Sequence, residues 1–269
     1  LSLQLTEVPG AVDLLLKEAR TAARLEDPRI VPIYDVGQEQ SRSYIIMQLV
    51  AGETLEARVL RQGPLEPKEA LRVMKEVLLG LSSVHRLGIV HRDIKPANII
   101  LEANGGVKLM DFGVAGTFES SLKLSAGSSE FMAPEQAFGW EPDVRADLYS
   151  FGVAYFYILT GRRPYSGKNA GELAVQHRES AIPDVREFNR EVTSATALLI
   201  TRLMAKSQEE RPATAEEVLK ALNAPGILLE VDPSGSPFKI LPPPVEEKAG
   251  FVPPPAAADH LRHGDIALL

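Results

Sequence analysis

The sequence predicts an α+β fold in two unequal parts: a short strand-rich part, then a larger and mainly helical one. Three observations predict it. Segments of alternating polarity crowd into the first 50 residues, and later ones are few and short. Segments with apolar residues three and four apart dominate residues 51–223. Nine prolines fall within the last 45 residues, including "PPP" twice, so residues 224–269 read as a proline-rich tail or linker. Strands grouped before helices, without βαβ alternation, are the pattern of an α+β chain.

The elements follow in order. "LSLQL" (1–5) alternates like a strand, and "AVDLLLKEARTAARL" (11–25) has helical periodicity, stopped by Pro28. "IVPIYDVG" and "SRSYIIMQLV" read as two strands joined by a polar turn at 38–42, and "AGETL" as a short connector. "EARVLRQG" is a short helix closed by Gly63-Pro64. "EPKEALRVMKEVLLGLSSVHRLG" is a long one, with Pro67 in its first turn and Gly88 past its end. "NIIL" and "VKLM" are short strands around the turn Asn104-Gly105-Gly106. Residues 114–132 are polar and serine-rich, a loop. "RADLYSFGVAYFYILTG" is a strongly apolar, central helix, and "TSATALLITRLMAK" and "TAEEVLKAL" are amphipathic helices.

Composition narrows the function. A net charge of −7 and a pI near 5.4 argue against a nucleic-acid partner. With no cysteine, disulfides, thiol catalysis and thiolate metal sites are excluded, which fits a reducing, cytoplasmic location. The longest apolar run, "FGVAYFYIL" at 151–159, is half the length of a membrane span, so no membrane segment is expected. The first residues have no charged region of the signal-peptide kind.

The densest chemistry lies in "HRDIKPANIILEANGGVKLMDFG" (91–113), which holds His91, Arg92, Asp93, Lys95, Asn98 and Asp111. "APE" follows at 133–135, "DVRADLYSFGV" at 143–153 and "ERP" at 210–212. In this order and spacing the motifs resemble the catalytic core of the protein kinase family, over about residues 1–223. The phrasing of "MAPEQ" and "LTGRRPY" is similar to bacterial serine/threonine kinases. The resemblance implies a bilobal, kinase-like fold with a truncated N-terminal lobe (1–50) and a mainly helical C-terminal lobe (51–223). It implies transfer of the ATP γ-phosphate to a serine or threonine hydroxyl of a protein substrate, with ATP and Mg²⁺ as cofactors.

The same resemblance assigns roles. Asp93 would orient the substrate hydroxyl and accept its proton. Lys95 would stabilise charge on the transferred phosphate. Asn98 and Asp111 would hold magnesium, a hard cation that prefers oxygen. Lys95 and Ser128 favour serine/threonine over tyrosine specificity. Arg92 would pair with a phosphate on the loop, where Ser125 is one acceptor among several. His91 is expected to pack and hydrogen-bond, and Arg211 to pair with Glu135.

The upper lobe departs from the family. No G-x-G-x-x-G occurs anywhere in the sequence. Aligning "LSLQL" on the strand that usually carries the ATP lysine puts Gln4 at that position, with Glu18 as the usual helix partner; residues 1–16 contain no lysine. Gln4 can donate a hydrogen bond but brings no charge. The adenine side is better kept: Met47 at the gatekeeper position, Gln48 and Val50 in the hinge, and Ile100 in the pocket floor. A fragment of an active kinase, a kinase supplied with its lysine from elsewhere, and a pseudokinase that binds or scaffolds are the three readings this leaves. Small-molecule phosphotransfer is a further one, disfavoured by the "APE" segment and Ser128. The polyproline runs at 242–244 and 253–255 offer a partner with an aromatic groove something to bind, although a plain linker accounts for them as well. "GRRPYSGKN" (161–169) comes close to a phosphate-binding loop but fails it, with five residues between the glycines and Asn169 in place of Ser/Thr.

Overall fold

The computed structural model describes residues 26–39, 42–111, 129–224 and 226–227. The strand and helix expected within 1–25, the segment 112–128 and the chain from 228 onward lie outside them.

The chain opens on an anchor. Ile30 and Val31 are buried, and Val31 donates to the Leu109 carbonyl at 2.9 Å while Leu109 donates to that of Arg29 at 2.7 Å. Strands β1 (Ile33–Glu39) and β2 (Arg42–Met47) then form an antiparallel pair, in register from Ile33 opposite Met47 to Glu39 opposite Arg42. At its base Gln48 donates to the Pro32 carbonyl at 2.9 Å.

The "AGETL" connector differs from expectation. Gly52–Thr54 is a strand, β3, antiparallel to β4 (Ile99–Glu102), which pairs with β5 (Val107–Leu109). Three residues are too few to show alternation, so only the partner reveals the strand. Gly52 is required there: a Cβ would stand 2.2 Å from the Leu101 carbonyl oxygen.

Helices make up the rest. α1 (Leu55–Gln62) starts at Thr54, whose hydroxyl caps Ala57 N–H, and stops at Gly63, with φ 80°. α2 (Pro67–His85) begins on a proline and buries one face, Leu71, Met74, Leu78 and Leu81 among it. α3 is the single turn Pro134–Ala137. α4 (Val144–Thr160) is buried all round from Ala146 to Leu159, as expected of a helix apolar on every side. Asp143 caps its start and Gly161, at φ 67°, ends it. α5 (Ala170–Glu179) was not evident in the sequence, because it buries only Leu173, Ala174 and His177. α6 (Ser194–Leu203) approaches α4 at Gly152, where a Cβ would lie 2.7 Å from Leu203 Cβ. α7 (Ala215–Leu222) packs on α2, and Ser82 donates to Glu216 between them. Among the described residues, no helix is long and apolar enough to cross a membrane.

Candidate active site

The site is built on the loop between α2 and β4 and on the chain just past β5. A 3₁₀ turn, Pro96–Asn98, leads into β4, and the β4–β5 hairpin folds the chain back. Met110 N–H donates to the Asn98 carbonyl at 2.9 Å, which sets Asp111 beside Asn98. Loop and hairpin thus converge on Asp93, Lys95, Asn98 and Asp111.

Asp93 is held from two sides. Its Oδ2 accepts from Asn98 Nδ2 at 2.8 Å and pairs with Lys95 Nζ at 2.8 Å. Asn98 Nδ2 also donates to the Asp93 carbonyl at 2.9 Å. Both amide hydrogens of Asn98 are thereby used on Asp93, and Oδ1 is the atom this side chain can offer to a cation.

His91 is fully buried. The Asp93 N–H donates to its Nδ1 at 3.3 Å, so the ring proton sits on Nε2, facing the Met110 carbonyl at 3.2 Å. Burial holds its pKa below the ordinary value and keeps it neutral.

Arg92 and Asp111 are the non-glycine residues with positive φ among the described residues, at 66° and 54°. Such conformations persist only where the surroundings enforce them. At Arg92 the enforcing groups are visible. Asp147, buried in α4, accepts from Arg92 N–H at 2.7 Å, from His91 N–H at 2.8 Å and from His85 Nε2 at 2.8 Å. On the other side Gln136 Nε2 donates to the Arg92 carbonyl at 2.9 Å. Asp147 lies within the motif "DVRADLYSFGV", while the sequence assigns no role to His85 or Gln136. Their contacts span 44 to 62 residues and leave no local mark in the sequence.

Asp111 has its pKa raised, first by the protein crowded around its carboxyl and then by the negative charge of Asp93; His91 and Lys95 oppose this. A carboxylate in that state is short of positive charge. Asn98 Oδ1 and the Asp111 carboxylate are hard oxygen donors of the kind Mg²⁺ takes, and no cluster of three or more acidic or histidine side chains forms a closed cage among the described residues. A cation there would complete its shell from water and phosphate.

The other candidates border this cluster or lie elsewhere. Gln48 and Val50 sit in the connection from β2 to β3, and Ile100 on β4 lies opposite Thr54 of β3 and Lys108 of β5. Gln4, Glu18, Ser125 and Ser128 fall outside the described residues. Glu135 and Arg211 form the expected ion pair, buried, with contacts of 2.6 and 2.9 Å. Arg211 further donates to the Ala205 carbonyl at 2.8 Å and lies over the Tyr149 ring.

Comparison with known proteins agrees in extent and kind. Residues 6–222 match the protein kinase domain family. The serine/threonine-protein kinase PrkC of Bacillus subtilis is 37% identical over 206 residues, covering 75% of this chain and 32% of its own. The serine/threonine-protein kinase PknB of Mycolicibacterium smegmatis is 33% identical, covering 93% of this chain and 44% of its own. The chain therefore spans a third to under a half of the length of these relatives. A crystal structure of Rad53 1–466 in complex with AMP-PNP superposes with a TM-score of 0.67 at 28% identity, over 80% of this chain and 55% of that one.

Proposed function

This chain belongs to the protein kinase family, and from that premise we propose that it transfers the γ-phosphate of ATP to a serine or threonine hydroxyl of a protein. The observation that carries the reading is the Asp93 carboxylate, fixed by Asn98 and Lys95 with Asp111 delivered beside it.

Phosphoryl transfer asks a protein chiefly for positioning and charge neutralisation. Asp93 hydrogen-bonds the substrate hydroxyl and takes its proton as the oxygen attacks phosphorus. The O–H bond breaks, the new O–P bond forms, and the bond from the γ-phosphorus to the bridging oxygen breaks to release ADP. Lys95 sets a positive charge next to Asp93 and the transferred phosphate. Asn98 keeps Asp93 in place with its amide hydrogens. Asn98 Oδ1 and Asp111 would hold Mg²⁺, which when bound neutralises phosphate oxygens. Gln48 and Val50 would meet adenine through the backbone, over a floor that includes Ile100. Gln4 and Glu18 stand where the family keeps its phosphate-gripping lysine and that lysine's partner. Arg92, Ser125 and Ser128 belong to control and substrate placement. The absence of a lysine at position 4 predicts weak ATP binding.

The test is phosphate transfer by the purified 269-residue chain from labelled MgATP to itself and to a generic basic protein. Transfer that disappears in Asp93→Asn is the expected result, with Gln4→Lys lowering the KM for ATP. Silence of the native chain, and also of Gln4→Lys joined to glycine-rich strands added upstream, would overturn the reading in favour of a pseudokinase that acts by binding.

A further inference from the structure

The loop 161–169, which fails as a phosphate-binding motif, has another use in the fold. It carries Tyr165, a buried residue, against the segment that follows α6. The partner there is Lys206, which is half-buried. Lys206 Nζ donates to the Tyr165 hydroxyl at 2.8 Å and to the His177 carbonyl of α5 at 2.7 Å. The centroid of the Tyr165 ring lies 4.4 Å from the same nitrogen. No step of phosphate transfer uses this amine.

A charge drawn out of water is ordinarily paired. Among the described residues, no carboxylate pairs with Lys206. Both of its hydrogen-bond acceptors are neutral oxygens. The Tyr165 ring attracts a cation but brings no formal charge. The nearest charged neighbour has the same sign: Arg211 donates from Nη2 to the Lys206 carbonyl at 3.2 Å. Burial first, then the charge of Arg211, lower the Lys206 pKa to about 8.

The hydrogen-bond geometry suits the neutral amine. An uncharged amine has two hydrogens, and the two oxygens take both. Its lone pair is then left unshared, as a nucleophile requires. An ammonium has a third hydrogen, for which only the ring or water remains. Because Lys206 keeps part of its surface exposed, a small reagent can reach the nitrogen from solvent.

We propose that Lys206 is an acetylation site, whose amine takes an acetyl group directly from a small acyl phosphate. Nζ attacks the acyl carbon and the N–C bond forms. The bond from that carbon to the phosphate oxygen breaks, inorganic phosphate leaves with the electron pair, and water takes the proton from nitrogen. The resulting amide keeps one hydrogen for two acceptors and no charge over the ring. The loop 161–169 and α5 thereby lose part of a shared tie. This modification is independent of whether the chain transfers phosphate.

The full 269-residue chain is incubated with carbon-13 acetyl phosphate from about pH 6.5 to 9.5, and mass spectrometry of its peptides reads the rate at each lysine. Lys68, Lys168 and Lys220, all exposed, serve as references. An ordinary lysine is neutral in about one molecule in a thousand at about pH 7.5. Lys206 should therefore react about tenfold faster than the references there, burial offsetting part of its larger neutral fraction. Its rate should level off once the amine is neutral, while theirs keep climbing. In concentrated urea the advantage should vanish, because the fold creates it. Treatment should lower the melting temperature of the native chain by several degrees and leave that of Lys206→Arg unchanged. Labelling of Lys206 no faster than the references, a rate that climbs with theirs to the highest pH, an advantage that persists in urea, or an equal loss of melting temperature in both chains would each overturn the proposal.

Discussion

At the scale of single residues, the site depends on groups that never touch a reacting atom. Asp147 restrains Arg92 at φ 66° through its peptide N–H, and with it the orientation of Asp93 one residue on. Asp147→Asn presents one acceptor oxygen where the carboxylate had two. We expect kcat to fall about ten- to hundredfold with a small change in KM for ATP, since one or two charge-assisted hydrogen bonds of about 1.5–3 kcal/mol are weakened away from the ATP contacts. Steady-state kinetics on Asp147→Asn, with Gln136→Ala for the opposite side, would check it. His177 supplies a prediction in pH. Burial first, then the charge of Lys206, lower its pKa to about 4, and its Nδ1 lies 2.9 Å from the Tyr149 hydroxyl. In the unfolded chain this histidine titrates at about 6.5. Between those values the unfolded state binds a proton that the folded state refuses, so stability falls as pH drops through that window, by at most about 3 kcal/mol. His91 acts in the same direction. Urea unfolding from pH 7 to 4 should show the loss, and His177→Gln should flatten it.

At the scale of elements, two close contacts define the helical part. Gly152→Ala would drive a methyl group to 2.7 Å from Leu203 Cβ, so α4 and α6 would have to separate. Such overpacking costs about 1–3 kcal/mol, readable as a lower denaturant midpoint. Arg211→Met would leave Glu135 buried without its partner. Breaking a buried pair from one side costs about 3–5 kcal/mol; the double variant Arg211→Met/Glu135→Leu should recover much of it. The elements also show what a sequence can and cannot disclose. α2 and α4 were legible because burial writes a pattern over 17 to 19 residues and a glycine follows each end, Gly161 as the cap of α4 and Gly88 just beyond that of α2. β3 and α3 are three and four residues long and exist through distant partners. The site divides the same way: Asp93, Lys95, Asn98 and Asp111 lie within 19 residues and read as a unit, whereas the His85–Asp147 and Gln136–Arg92 contacts are products of folding.

At the scale of the whole molecule, the packed region reaches beyond its last helix. Ile227 belongs to the core cluster, and its carbonyl accepts from Thr193 Oγ1 at 3.0 Å and Thr196 Oγ1 at 2.7 Å. We propose that the lower lobe ends after Ile227 rather than at 223. A chain cut after Ala224 would lose one apolar side chain and two buried hydrogen bonds, about 2 kcal/mol or more, and should melt about 4–8 °C below one cut after Glu230. Differential scanning fluorimetry of the two truncations decides it. The opening anchor has a consequence at the same scale. Arg29 and Val31 grip Leu109, two residues before Asp111, and Arg29 is itself tied to Glu76 of α2 at 2.7 Å. Tension applied on the β1 side of the hairpin base would therefore load β5 through these hydrogen bonds. The hairpin is a lever whose fulcrum is the strand that leads into Asp111, so a pull on it would be felt at that carboxylate from a distance.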